Sequence, residues 1–172
     1  EGHCRAISAE TGNIDGLVEP FHLGSHDAQQ TRTVSSESIF LIASPTKPIV
    51  ATAIMMLVQQ GRLSLGDRVS RYLPQFHTTG KREIRLFHLL THTSGLPDML
   101  PNNLELRKAR APLSEFMNHV NDVDLLFKPG HRLRYQSMGI LTLATILESV
   151  TTITLPQFLH QHIFEPLQMH HT

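Results

Sequence analysis

The 172 residues carry 15 Lys plus Arg against 15 Asp plus Glu, with no run of like charge, which excludes the electrostatic footprint of a nucleic-acid or anionic-membrane binder. A hydrophobic fraction of 40% with 17% charged residues and a mean hydropathy of −0.12 excludes general disorder, and the length suits one domain or part of one. One cysteine, Cys4, excludes an internal disulfide, and no apolar run reaches the roughly 20 residues of a membrane span.

In chain order, residues 4–8 and 17–25 read as two short strands joined by the turn-rich segment Thr11 to Gly16, as in a hairpin. The polar stretch from Ser25 to Ser38 reads as a loop, and Ile39 to Ala43 leads into a buried region. Ile49, Val50, Ala53, Ile54, Leu57 and Val58 then recur at helical spacing, with Gly61 as the C-terminal stop. Further helices are predicted near 84–92, 113–120, 138–149 and 156–164, separated by loops rich in Pro, Gly and Asn. The composition shifts from strand-like to helix-like near residue 61, which divides the chain into 1–61 and 62–172. The first residues are neither basic nor followed by an apolar core. Because the chain opens on Glu1, an upstream leader or domain is compatible with it, and the compartment stays open.

Ser44-Pro45-Thr46-Lys47 places a hydroxyl and an amine three residues apart where the first helix begins. Positions i and i+3 share a helix face, so Lys47 can reach the Ser44 hydroxyl and act as its base. Proline is tolerated in the first helical turn, where its missing N–H has no intrahelical partner, so Pro45 and Pro48 set the helix start near Ser44. The N-terminal end of that helix favours developing negative charge, which suits an oxyanion.

His88 and His92 stand at i and i+4, a spacing compatible with a shared metal. The residues between them, Leu89, Leu90 and Thr91, include no glutamate of the kind a zinc peptidase needs, so a packed, hydrogen-bonded role at the Thr93-Ser94-Gly95 turn is preferred. His160, His162, His170 and His171 read as exposed helix-end histidines. Arg132 and Arg134 would share one side of an extended segment, as a solvated pair or, less favoured, as a contact to an acidic substrate.

The segment Phe40 to Pro48 resembles the nucleophile segment of the serine β-lactamase-like hydrolases, the superfamily of class C β-lactamases, DD-peptidases and β-lactamase-fold esterases. Gly61 to Asp67, Tyr72-Leu73-Pro74, His88 to Leu96, Phe127-Lys128-Pro129-Gly130, Tyr135 to Gly139 and Glu165 to Met169 follow in that family's order. The resemblance implies a β-lactamase/transpeptidase-like fold, an α/β part plus an all-α part, incomplete here for want of C-terminal sheet strands and mostly helical in this chain. Residues 1–61 would supply the hairpin and nucleophile helix, and 62–172 the helical subdomain.

The resemblance also makes Tyr135 the tyrosine of the family's second motif. A phenol beside ammonium groups is a credible general base, and the alternative is a ring packed in the core. Ser137 falls where β-lactamases usually carry asparagine, and is the implied substrate-binding residue. A hydroxyl there replaces an amide that both donates and accepts, which shifts the expectation from β-lactams toward esters or thioesters. No metal or organic cofactor is implied, and the expected partner is a small ester, amide or acyl substrate.

The expected activity is that of a serine hydrolase or acyltransferase with an acyl-enzyme on Ser44. A β-lactamase or DD-peptidase, and an inert binding module of the same fold, are the alternatives. Relatives carry a third motif, Lys-Thr-Gly or His-X-Gly, and neither tripeptide occurs from Tyr135 to Thr172. The readings of that, in order of preference, are a piece of a longer protein, one part of a multi-chain enzyme, and a truncated descendant.

Overall fold

Helix α1, Thr46–Gln59, forms because its apolar residues fall on one stripe: Val50, Ala53, Ile54 and Leu57 are all buried. The computed structural model containing it describes residues 5–78 and 80–172, so Cys4, the first residue of the predicted strand 4–8, lies outside the described residues. Pro45 caps α1 and Pro48 occupies its first turn, where neither interrupts a helical hydrogen bond. At the other end Gly61 takes φ +70 and donates its N–H to the Val58 carbonyl.

The described residues fall into two compact units, one running to Ile42 and including His171 and Thr172, the other spanning Ala43 to His170. The first contains the strands β1, Ala6–Asn13, and β2, Gly16–Gly24, paired antiparallel with a register shift between Thr11 and Gly12. The pairing continues to Asn13 opposite Gly16, so the connection is tighter than the sequence reading had it. Asn13 closes it by accepting the Asp15 N–H on Oδ1 at 2.8 Å. In the loop that follows, the Asp27 carboxylate accepts the N–H groups of Thr31 and Arg32 at 2.9 and 3.1 Å.

The second unit is helical. After α1 come α2, Leu86–Leu90, α3, Asn103–Lys108, α4, Leu113–Asn118, α5, Met138–Thr151, and α6, Leu155–Leu159, which runs on into a π-turn at His160–Phe164. Three 3-10 turns, Val69–Arg71, Pro74–His77 and Lys81–Glu83, fill the connection between α1 and α2. Helix α1 packs on α5 and α6, so it belongs with the helical unit, which begins at Ala43 and not at residue 62. The shared core includes Ile54 and Leu57 of α1, Leu89 of α2, Leu143, Ile146 and Leu147 of α5, and Phe158 of α6. Each such side chain contributes about 1.5–3 kcal/mol on leaving water. Among the described residues no single helix is long and apolar enough to cross a membrane; the apolar α5 owes its composition to this core.

Polar side chains fix the loops between the helices. Arg62 donates to the Val150 carbonyl at 2.6 Å, tying the end of α1 to the last turn of α5. Thr154 and Gln157 form a reciprocal capping box that starts α6. Asp67 accepts from Tyr72 Oη at 2.6 Å, from the Ser64 N–H at 2.9 Å and from Arg71 at 3.0 Å. These bonds, led by that of Tyr72, hold its carboxyl below the usual range; burial and then the Asp67 carboxylate push the Tyr72 phenol up to about 12.

Because the folded pKa of Asp67 is depressed, its contribution is present above the ordinary carboxylate pKa and is lost as pH falls through the folded value. Asp67→Asn is therefore expected to cost about 1.5–3 kcal/mol near neutral pH, and less at an acid pH below that folded value. Urea unfolding at the two pH values checks this.

Candidate active site

The site is built from a strained turn, one helix start and one extended segment. Ala43 takes φ +50, a region costly for any residue with a side chain. The turn that follows is closed by Thr46 N–H to the Ala43 carbonyl at 3.1 Å and Lys47 N–H to the Ser44 carbonyl at 2.9 Å. Ser44 thus stands two residues ahead of the first helical residue, exposed, with its own N–H engaged by no group among the described residues. Lys47, in the first turn of α1, donates from Nζ to Ser44 Oγ at 3.4 Å.

Tyr135 reaches the same oxygen from 91 residues away, donating from Oη to Ser44 Oγ at 2.8 Å. The Lys47 ammonium lies 4.8 Å from the centre of the Tyr135 ring. Hydrogen bonding by Lys47, then by Ser44, holds the Tyr135 phenol below its ordinary value, against opposing burial and the Asp98 charge. The ring also meets His92, with centroids 5.0 Å apart and planes tilted by 38°. Burial, followed by the nearby Lys47 charge, pushes the His92 pKa down, so the imidazole is neutral near pH 7.

The segment carrying Tyr135 is stitched to the turn after α2. Arg134 donates its N–H to the His92 carbonyl at 2.9 Å, and the Gln136 N–H donates to His92 Nδ1 at 3.3 Å. The fully buried Ser94 donates its hydroxyl to Oε1 of the fully buried Gln136 at 2.8 Å, while Gln136 Nε2 has no partner among the described residues. Asp98 accepts the Ser137 N–H at 2.7 Å. Gly95 makes this join close-fitting: at φ +83 a Cβ there would lie 2.1 Å from the Phe127 carbonyl oxygen.

Ser94→Ala would leave a buried carbonyl oxygen without its donor beside an amide nitrogen that already lacks a partner. A loss of about 1–3 kcal/mol is expected, read by urea unfolding.

Of the predicted site residues, Ser44, Lys47 and Tyr135 come together around one oxygen. Ser137 caps the start of α5 and makes no hydrogen bond to those three; its N–H is engaged by Asp98 and its carbonyl accepts the N–H groups of Ile140 and Leu141. His88 and His92 diverge: each Nδ1 accepts a different backbone N–H, from Arg85 at 3.1 Å and from Gln136. Arg132 and Arg134 are exposed and form no ion pair among the described residues. His92, Asp98 and the Ser94–Gln136 pair support the site without having been singled out for it in the sequence.

The family profile described as Beta-lactamase matches residues 14–172. Protein flp of Staphylococcus aureus (strain MW2) is 32% identical over 152 residues, which cover 87% of this chain and 30% of that protein. Two solved structures are each 27% identical. The octameric penicillin-binding protein homologue from Pyrococcus abyssi superposes with a TM-score of 0.84, covering 96% of this chain and 39% of that one. EstCE1, a hydrolase with promiscuous acyltransferase activity, gives 0.75, covering 95% and 46%. The chain spans less than half the length of each of the three. A profile match over most of the length, a superposable fold and the family-like segments in family order together make this chain a member of the beta-lactamase family.

Proposed function

We propose that the chain carries the nucleophile half of a serine hydrolase or acyltransferase that acts on an ester or amide through an acyl-enzyme on Ser44. The observation that carries this reading is the pair of contacts on Ser44 Oγ, 2.8 Å from Tyr135 Oη and 3.4 Å from Lys47 Nζ. A serine hydroxyl is a weak nucleophile until a neighbouring base takes its proton, and both candidates for that base are within reach.

The sequence reading gave the base role to Lys47. The shorter Tyr135 contact and its lowered phenol favour Tyr135 as the group that takes the proton, with the Lys47 ammonium stabilising the phenolate. Ser44 Oγ then attacks the carbonyl carbon, and the Ser44 N–H donates to the oxyanion. As the tetrahedral intermediate collapses, the bond to the leaving alcohol or amine breaks, and Tyr135 returns the proton to that group. Water or an acceptor alcohol gives its proton to Tyr135 and attacks the acyl carbonyl; as the bond to Ser44 Oγ breaks, Tyr135 passes that proton to Oγ, which releases the acid or new ester and restores both Ser44 and the phenolate. Neither metal nor organic cofactor enters these steps.

An ester substrate is preferred on two grounds: Ser137 stands where β-lactamases carry an amide, and EstCE1 superposes over 95% of the chain. Turnover of a short-chain p-nitrophenyl ester, nitrocefin and a D-Ala-D-Ala peptide by one preparation tests the preference. Faster ester turnover is expected. Nitrocefin or peptide as the better substrate would give the β-lactamase or DD-peptidase reading instead, and binding without turnover would give the inert module.

A further inference from the structure

We propose that the helical unit holds a second ligand site, separate from Ser44, that takes a small carboxylate with an aryl or medium-chain alkyl body. A cavity of about 790 Å³ is walled by Leu125, Phe127 and Pro129, with Lys128 and His131 also lining it. That size and apolar lining are ordinary for a small-molecule pocket, in which a few polar groups orient the ligand. None of Ser44, Lys47 and Tyr135 lines it, so the proposal does not rest on the reading of the active site.

The polar group that orients the ligand is His88. Only 8% of this residue is exposed, and it lines the cavity. Its Nδ1 accepts the Arg85 N–H at 3.1 Å, which puts the proton of the neutral ring on Nε2. That N–H donates to no group among the described residues. Burial, and then the Arg85 charge, lower the His88 pKa, so near neutral pH the ring is an uncharged donor. Glycine at position 130 keeps the space beside Nε2 free of a side chain: at φ +83 a Cβ there would stand 3.3 Å from that nitrogen.

Charge then selects among acceptors. Lys128 is exposed and forms no ion pair among the described residues. Glu83, which also lines the cavity, is engaged by Arg68 and by Arg82, each at 3.4 Å, and the Arg85 guanidinium donates to the Gly66 carbonyl. An unpartnered N–H and an unengaged ammonium both call for an acceptor, and the ammonium calls for a negative one. The three apolar walls call for a hydrocarbon body behind it.

Octanoate, compared with octanamide of the same shape, tests this on the 172-residue chain by titration followed on the histidine ring ¹H–¹⁵N resonances. Octanoate is expected to move the His88 Nε2 resonance and to bind at least about fivefold more tightly than octanamide. Lys128→Gln, a surface change, is expected to erase that difference while octanamide binding stays the same. Three results would overturn the proposal: a His88 resonance unmoved by octanoate, equal affinity for the two probes, or octanoate binding unchanged in Lys128→Gln. Octanoate that is displaced when Ser44 is covalently blocked would assign it to the active site and overturn the proposal as well.

Discussion

Ser44→Ala is expected to lower p-nitrophenyl ester turnover by at least about 10³-fold while leaving the unfolding midpoint close to that of the parent chain. The two halves of this expectation have separate causes. Ser44 is exposed, and among the described residues its hydroxyl hydrogen-bonds with Lys47 and Tyr135, neither of them buried, so removing one oxygen opens no cavity in the core and strands no buried group. The same oxygen is the atom on which both candidate bases converge. Without it Lys47 and Tyr135 retain their positions but have no nucleophile to activate. Turnover that survives the substitution would move the nucleophile elsewhere, and a large fall in stability would mean that Ser44 serves the fold.

Tyr135→Phe is expected to lower kcat by about 10²–10⁴-fold, the usual range for removing a positioned proton-transfer group. The ring is kept, so the contact with His92 survives and the loss is that of the hydroxyl alone. The pH profile carries the sharper information. Catalysis through the phenolate requires a deprotonated Tyr135, so the rate should rise with pH through a pKa that Lys47 and Ser44 hold below the ordinary value of 10.0. Lys47→Ala should move that limb upward toward 10.0, and Tyr135→Phe should remove it. A limb that persists in the phenylalanine variant would assign the base role to Lys47, as the i, i+3 spacing alone had it.

Local rules made the nucleophile turn readable. Two prolines three residues apart are compatible with a helix only at its start, and they located the beginning of α1 to within two residues. The contact between Ser44 and Lys47 followed from that placement, although the turn from Ala43 supplies it and not a shared helix face. Tyr135 is different. Its 91-residue separation from Ser44 leaves no trace in spacing or periodicity, and only the resemblance of the Tyr135-Gln136-Ser137 segment to a known motif pointed to it.

Other features carried no usable signal. Gln136 lies between Tyr135 and Ser137 and is fully buried, its Oε1 accepting from Ser94, 42 residues earlier, a contact that local pattern does not record. Helix α3 has six residues and one buried position, Leu106, too few for a periodic pattern to form. The hairpin was recognised, but its first strand runs on to Asn13, whose side chain accepts the Asp15 N–H in a tighter turn than residue counts suggested. The pairing of α1 with α5 and α6, which places the unit boundary at Ala43, is a tertiary choice that a shift in composition near residue 61 does not record.

The central claim is a covalent intermediate on one named oxygen. Its most direct test is peptide mapping by mass spectrometry after rapid acid quench of the chain during turnover of a p-nitrophenyl ester. The account predicts one acyl group per chain, carried by the peptide that contains Ser44 and absent from the Ser44→Ala variant. An acyl group on any other residue, or turnover with no acylated peptide at all, would contradict it.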